Sequence, residues 1–349
     1  MNARHISSAL LRLGALATLV AALLAGFLAG GTDTPVVDAN HKGTMRVDPT
    51  TDTIIIEGHH FVVPITMQTC YPPLTDPQCK VGAYQQVVAW DPAKFTLNTD
   101  SGTSTGGNTT TVLKDTTKSW RVNEWKNSTL TITAGNLLGQ FKVVSNNATS
   151  VTVTPAFPVV PDTTVEYELG GLTDGWWLGS TGREIQCPGG STYGPNGNWA
   201  ELGCVTFGAP SQGYPDGVTN FGPLTYLTLV ANFNARGLHN ICIVNGSSPN
   251  CTLPGDLPST AQTSVVLELD GDTIHSNNLN GVRRIIECPD PDGNGTIHSA
   301  DLGLIAAAFG QNPGDPLYAT NKDLDLNGTI GASDLGITAA VFLKRCNQP

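Results

Sequence analysis

The sequence predicts a mainly β fold, in which two separated blocks form a β-sandwich, a small β domain is inserted between them, and a short helical segment follows. Two observations favour this organisation. The 349 residues include 39 Gly, 23 Pro and only 13% charged residues, a composition typical of short strands joined by many turns. Apolar and polar residues alternate through most of the chain, and a helical apolar period is confined to the N-terminus and to the segment after about residue 288.

The first 31 residues have the pattern of a targeting segment. Arg4 and Arg12 make it basic, residues 13–29 form an almost unbroken apolar run, and the small residues Ala29, Gly30 and Gly31 follow. Retention as an N-terminal anchor is the alternative, but the run is shorter than the roughly 20 residues that a membrane-spanning helix needs. We therefore expect residues 1–31 to be a signal peptide. The mature protein is then secreted or held at the cell surface, without a membrane span.

The acidic net charge of the chain disfavours two classes of partner. The formal net charge is −11, from 29 acidic and 18 basic residues. Nucleic acid and anionic membranes are unexpected partners, because both require clustered Lys and Arg.

Eight cysteines in an exported chain predict disulfides, and zinc is disfavoured because no C-x-x-C spacing occurs. The simplest pairing joins sequence neighbours: Cys70–Cys79, Cys187–Cys204, Cys242–Cys251 and Cys288–Cys346.

The predicted sandwich spans residues 44–285 and is interrupted by an inserted small β module at 101–170. The insertion begins in a Gly/Ser/Thr-rich stretch, closes at Gly170-Gly171, and contains short period-two strands of its own. Trp120 and Trp125 could stack on a sugar, but core positions are favoured in so small a domain. The clearest strand segments outside the insertion are 53–56, 60–67, 83–90, 225–230 and 263–269.

Two segments that begin at Asp290 and Asp323 share the pattern D-x-D-x-N-G-T-I-x-x-x-D. Ca²⁺ takes about six to eight oxygen ligands, which the side chains at positions 1, 3, 5 and 12 and the carbonyl at position 7 of such a loop supply, while Gly at position 6 allows the turn. The pattern predicts two Ca²⁺ ions. The expected ligands are Asp290, Asp292, Asn294, Thr296 and Asp301 in the first loop and Asp323, Asp325, Asn327, Thr329 and Asp334 in the second.

Two alternatives to calcium apply at these loops. One copy alone could be an acidic turn without a metal, but two copies in register, each followed by a helix, favour calcium. Mg²⁺ is disfavoured because it keeps several water ligands.

Ile297 and Ile330, at position 8 of the two loops, are expected to pair with each other. The helices that follow carry apolar positions at i, i+3 and i+7, namely Leu302, Ile305 and Phe309, then Leu335, Thr338 and Phe342.

The duplicated segment resembles the type I dockerin family over residues 289–346, including Asp at position 12. The resemblance implies a small α-helical, EF-hand-like module whose ends Cys288–Cys346 would tie together. It also implies a protein partner, a cohesin-type domain that could be the chain's own. In dockerins the two residues before position 12 help to recognise the partner. Here they are Ser299-Ala300 and Ala332-Ser333 instead of the usual Ser-Thr type pair, which leaves the partner open.

The sandwich, with its insertion removed, is similar to a cohesin-type domain. The similarity is carried by the strand end Val87–Pro92, by Leu178–Arg183 and by Gly222–Leu229. It implies a jelly-roll β-sandwich related to carbohydrate-binding modules. Trp90, Trp176 and Trp177 are expected in the core or at the junction with the insertion.

The sequence shows no H-E-x-x-H motif. His59 and His60 are adjacent in a strand and point to opposite faces, and nothing besides their acidity makes Glu184 and Glu201 a glycosidase pair. We therefore predict a secreted, non-catalytic protein that mediates calcium-dependent protein–protein attachment or assembly at the cell surface. The alternative is a carbohydrate-binding accessory protein in polysaccharide breakdown.

Overall fold

The computed structural model describes residues 42–50, 53–69, 81–187, 190–208, 221–244, 264–268 and 273–346. The predicted signal peptide and Cys70, Cys79 and Cys251 lie outside these ranges. None of the helices in the described ranges has the length and apolar character needed to cross a bilayer.

The described residues form mainly β structure, as predicted. In chain order the elements are β1 (Lys42–Val47), β2 (Thr53–Ile56), β3 (His60–Thr69), β4 (Val81–Trp90), β5 (Phe95–Leu97), β6 (Thr99–Thr103), β7 (Val112–Lys114), β8 (Thr129–Ala134), β9 (Gly139–Asn146), β10 (Ser150–Thr154), β11 (Glu166–Gly170), β12 (Leu172–Asp174), a 3-10 helix (Leu178–Thr181), β13 (Glu184–Gln186), β14 (Thr192–Tyr193), β15 (Trp199–Phe207), β16 (Phe221–Ala231), β17 (Gly237–Ile243), β18 (Val265–Glu268), β19 (Thr273–Leu279), β20 (Gly281–Ile286), α1 (Ser299–Ala307) and α2 (Ala332–Ala340).

The two sandwich blocks contribute fourteen hydrogen-bonded strands. The order is β12-β16-β3-β1-β19-β18-β4-β17-β20-β2, with β5 beside β16, β15 beside β4, and β13 and β14 on β15. Strand β19 joins the two layers, because its first residues pair with β18 and its later residues run parallel to β1. The side chains between the layers form one core that includes Met45 and Ile65 from one side and Val88 and Trp90 from the other. The predicted sandwich is thereby confirmed at the level of layers and core.

The inserted strands, β6 to β11, form a separate six-stranded sheet in the order β6-β11-β8-β9-β10-β7. This sheet has its own core, in which Trp120 and Trp125 are buried beside Tyr167 and Phe141. These two tryptophans are core residues, as the small size of the domain suggested, and their faces are not presented to a ligand.

The insertion enters and leaves the sandwich through two adjacent linkers. The Asn98 amide donates to Thr228 O and Asn98 O accepts from the Gly171 amide, at 3.0 and 2.9 Å. Gly170 has φ +72°, and a Cβ there would lie 2.3 Å from Asn98 O. Glycine is therefore required for the linkers to lie this close, and they hold the insertion tightly to β16.

Two of the disulfides expected from the neighbour pairing are present, Cys187–Cys204 and Cys288–Cys346. Cys242 is also disulfide-bonded. The Cys288–Cys346 bond joins the end of the sandwich to the last turn of the C-terminal segment, and both cysteines pack against an apolar cluster there.

That cluster attaches the C-terminal segment to the sandwich. Ile56 at the end of β2 and Ile286 at the end of β20 pack with Ile297, Ile337 and Val341 of the C-terminal segment, all of them buried. Strands β2 and β20 run parallel, with Ile56 opposite Ile286. We call this cluster the seam. It covers one side of the C-terminal segment with the chain's own sandwich.

We expect Ile286→Ala to lower the free energy of unfolding by about 2–4 kcal/mol, because it removes buried apolar volume and leaves a cavity in the seam. Urea denaturation followed by tryptophan fluorescence measures the change. Leu238→Ala is the matched control: its side chain is 54% exposed, so the change should stay within about 0.5 kcal/mol. Equal effects of the two substitutions would contradict a packed seam.

Candidate metal centre

The two loops share a set of hydrogen bonds at corresponding positions. The carboxylate at position 1 accepts from the amide at position 6, in Asp290–Gly295 (2.7 Å) and Asp323–Gly328 (3.0 Å). The carboxylate at position 3 accepts from the amide at position 5, and the amide oxygen at position 5 accepts from the amide at position 7. Each sequence pattern thus folds into the tight loop that turns these side chains toward one point.

Position 12 lies in the first turn of the following helix in both loops. Asp301 Oδ2 accepts from the amide of His298 at 2.8 Å, and Asp334 Oδ2 accepts from the amide of Gly331 at 2.7 Å. A carboxylate at a helix N-terminus also interacts favourably with the helix dipole. Both side chains are fully buried, so each helix start holds a carboxylate inside its loop.

The carboxylate oxygens converge most completely in the second loop. One oxygen each from Asp323, Asp325 and Asp334 lies within 4.8 Å of the others. In the first loop the corresponding group contains Asp292, Asp301 and the ring of His298, without Asp290. The repeat pattern did not single out His298 as a ligand. Its position 9 in the loop was the available signal, because that position is often close to the metal in loops of this kind.

Two buried oxygens support a cation at these loops. Asp301 Oδ1 and Asp323 Oδ1 are buried and have no hydrogen-bond partner within the described residues. No Lys or Arg of these residues forms an ion pair with the loop carboxylates, and only His298 does so, through Asp292 and Asp301. A buried carboxylate without a counter-charge is costly. Oxygen donors left in this state fit Ca²⁺, a hard cation that prefers oxygen ligands.

The ten predicted ligands differ in exposure. Asp301, Asp323 and Asp334 are buried, Asp290, Thr296 and Asp325 are half-buried, and Asp292, Asn294, Asn327 and Thr329 are exposed. Tyr318 is an additional residue in contact with the second loop, because its hydroxyl donates to Asp323 Oδ2 at 2.7 Å. That hydrogen bond raises the pKa of Tyr318 to about 12. The repeat pattern gave no signal for Tyr318, which lies outside both loops.

The expected contact between Ile297 and Ile330 is wrong. The amide of Ile297 donates to Lys344 O, after α2, and the amide of Ile330 donates to Gln311 O, after α1. Correspondingly, Ile297 packs with residues of α2 in the seam, while Ile330 packs with Ile305 and Ala308 at α1. Each loop therefore packs on the helix of the other loop, because the turn that follows that helix offers the free backbone groups.

Both helices are shorter than their apolar period suggested. They end at Ala307 and Ala340, so Phe309 and Phe342 lie in the turns that follow and are exposed. Ser299, Ala300, Ala332 and Ser333 are exposed as well. Leu304, in the middle of α1, also faces solvent, and this surface lies outside the seam.

The other groups considered in the sequence have ordinary structural partners. Glu201 accepts from the side-chain amide of Gln85 at 2.7 Å, and Glu184 accepts from that of Gln186 at 3.0 Å. A further group of possible ligand atoms consists of Asp174, Cys187 and Cys204. Its two sulfurs form a disulfide, so they do not bind a metal as thiolates.

His59 and His60 face different parts of the molecule. The ring of His59 lies against the backbone of Arg345 and Cys346, and burial lowers its pKa to about 4. The ring of His60 lies against the backbone of Lys126 in the insertion, and burial lowers its pKa as well. Both rings are therefore neutral at pH 7.

No protein-family model matches the sequence, and no curated protein matches it. Solved structures similar to the chain include a non-cellulosomal cohesin from the archaeon Archaeoglobus fulgidus, at 10% identity over 70% of this chain and 92% of that one, with a TM-score of 0.31. A cohesin from Acetivibrio cellulolyticus, solved with a dockerin, is 10% identical over 70% of this chain and 98% of that one, with a TM-score of 0.32. A cohesin module of a Clostridium perfringens family 33 glycoside hydrolase is 8% identical over 70% of this chain and 96% of that one, with a TM-score of 0.30. These TM-scores are below 0.5, and the similarity assigns no function to this chain.

The lowered pKa of His59 predicts acid sensitivity of the fold. The unfolded chain takes up a proton near pH 6.5, whereas the folded chain does so only near pH 4. Stability is therefore lost as the pH falls from about 6.5 to 4, by about 1–2 kcal/mol after allowance for solvent screening. Urea denaturation at several pH values in excess calcium measures the loss.

His59→Gln separates this contribution from that of other acidic groups, because glutamine does not titrate. The variant should lose less stability than the unsubstituted protein over the same pH range. Parallel pH profiles of the two proteins would show that His59 does not carry the effect.

Proposed function

We propose that this chain is a secreted, non-catalytic protein that binds two Ca²⁺ ions in its C-terminal, dockerin-like module and uses that module for protein–protein attachment at the cell surface. The observation that carries the proposal is the repeated loop frame, in which Asp301, Asp323 and Asp334 are buried without a Lys or Arg partner among the described residues. Two loops that share these hydrogen bonds and the same acidic positions are better explained by two bound cations than by two coincident turns.

Calcium would determine whether the module is folded. Carboxylates that converge in one loop repel each other in the absence of a cation, and binding to such a loop is coupled to folding. Because Ile297 of the first loop packs on α2 and Ile330 of the second loop packs on α1, disorder in one loop removes packing from the other half. We therefore expect Ca²⁺ binding at one site to favour Ca²⁺ binding at the other.

The surface available to a partner is the side of the module away from the seam. The seam covers Ile337 and Val341 with the sandwich. Ser299, Ala300 and Leu304 remain exposed at α1, and none of these three side chains carries a charge that a partner would have to desolvate. The partner that we propose is a cohesin-type domain, for which the sandwich of a second copy is the first candidate.

Calorimetric titration of the calcium-depleted protein with CaCl₂ tests the metal sites. We expect two equivalents for the unsubstituted chain and no more than one for Asp334→Asn, because that substitution removes a buried anionic ligand. Asp162→Asn is the control, since Asp162 is exposed in the insertion and should leave two equivalents. Equal stoichiometry for all three proteins would contradict the assigned ligands.

Sedimentation velocity of residues 32–349 tests attachment to a second copy. In about 2 mM calcium we expect association that increases with protein concentration up to about 100 μM, and none in excess chelator. Leu304→Arg should abolish the association by placing a charge in the interface, whereas Val122→Arg, at an exposed apolar residue of the insertion, should not. A monomer under every condition would show that the sandwich of a second copy is not the partner.

A further inference from the structure

A cleft of about 390 Å³ lies between the sandwich and the insertion. The sandwich contributes Gly58, His60, Asn98 and Phe233, and the insertion contributes Arg121 and Glu124. The volume is within the range of small-molecule sites, about 300–1,000 Å³. The calcium loops contribute none of its lining residues, so the cleft is distinct from the candidate metal centre.

Phe233 presents an aromatic ring at this cleft. Its side chain is 72% exposed, and the far edge of the ring lies over Gly58, where a Cβ would approach Cζ to 2.6 Å. The loop around it is held in place: Asn232 Nδ2 donates to Pro92 O at 3.0 Å, and the amide of Asn234 donates to Glu57 Oε2 at 2.8 Å. The loop that carries the ring is thus held in place although most of the ring contacts solvent.

The insertion forms a charged but balanced wall. Arg121 and Glu124 lie one turn apart, and Glu124 Oε2 accepts from the backbone amide of Arg121 at 2.8 Å. The Arg121 guanidinium has no ion-pair partner among the residues that the structure describes, so its N–H groups remain available as donors. One positive and one negative side chain give this wall no net charge, which disfavours an anionic ligand.

Two of the lining residues each have a buried polar atom without a partner among the described residues. Asn98 Nδ2 and His60 Nδ1 are buried and make no hydrogen bond within the described ranges. Burial lowers the pKa of His60, so its ring is neutral at pH 7. Rotation of the Asn98 amide, whose terminal torsion is broad, would direct its donor toward a ligand hydroxyl. Unpaired polar groups of this kind disfavour an apolar ligand.

We propose that this cleft binds a neutral hexopyranose unit of an oligosaccharide. The C–H groups of a pyranose face are slightly positive and pack on the negative face of an aromatic ring such as Phe233. Its hydroxyl groups both donate and accept, which suits an arginine, a glutamate and an asparagine around one sugar. The lining of the cleft thus combines an apolar ring with polar side chains, as small-molecule sites commonly do.

The proposal gives the insertion a role. Its Arg121 and Glu124 complete a site that the sandwich supplies only in part. The wall is held against the sandwich by the Asn98–Gly171 linker contact, by His60 at the backbone of Lys126, and by a 2.9 Å hydrogen bond between the hydroxyls of Thr173 and Thr129. The site is therefore preorganised, which limits the entropy lost on binding.

Calorimetry of residues 32–349 with cellohexaose, mannohexaose and galactohexaose tests the proposal. We expect binding of at least one of them, with a Kd of about 10 μM to 1 mM. Phe233→Ala should weaken that binding by about ten-fold or more, and Asn98→Ala should weaken it as well. Phe309→Ala is the matched control, because this phenylalanine is also exposed (57%) but lies after α1, and the affinity should be unchanged.

Two results would overturn the proposal. One is the absence of binding by all three oligosaccharides at about 10 mM ligand. The other is binding that Phe233→Ala and Asn98→Ala leave unchanged, which would place the sugar elsewhere. Because Phe233 is mostly exposed, its removal does not create a core cavity, and an unchanged thermal unfolding midpoint verifies that the variant is folded.

Discussion

The turn between β2 and β3 is the contact on which the arrangement of the whole chain depends. The amide of Glu57 donates to Ile286 O and the amide of Gly58 donates to Ala231 O, so the turn joins β20 to the end of β16. His59 then faces the C-terminal turn, and His60 faces the insertion. Adjacent residues of an extended chain point in opposite directions. As a result, four consecutive residues contact the sandwich, the insertion and the C-terminal segment.

Contact with the sandwich makes the two halves of the C-terminal segment unequal. Their apolar clusters correspond, since each combines the isoleucine of one loop with the helix of the other. Only the cluster of Ile297 is extended by sandwich residues, whereas that of Ile330 packs with Tyr318 and Leu335 of the segment itself. A duplicated sequence therefore folds into one half that is fixed to the sandwich and one half whose helix, α1, exposes Leu304.

Features that depend on local sequence were predictable, and those that depend on distant pairing were not. Strand patterning identified β2 to the residue, and loop spacing identified the carboxylates that the second loop brings together. The pairing of Ile297 with Lys344 was missed, because the repeat specifies each loop and not which helix it packs on. The cleft was missed for the same reason: His60, Asn98, Arg121 and Phe233 are far apart in sequence and meet only through the sheet order.

Gly58 shows why a single residue type is required at this turn. Its φ of +76° belongs to the region that L side chains rarely adopt, and a Cβ there would also displace the ring of Phe233. Any other residue would strain the turn that orients His59 and His60 and would move the ring out of the cleft. The same glycine therefore serves the backbone of the turn and leaves room for the ring of Phe233 in the cleft. The turn that brings His59 to the C-terminal segment and His60 to the insertion therefore requires glycine at this position.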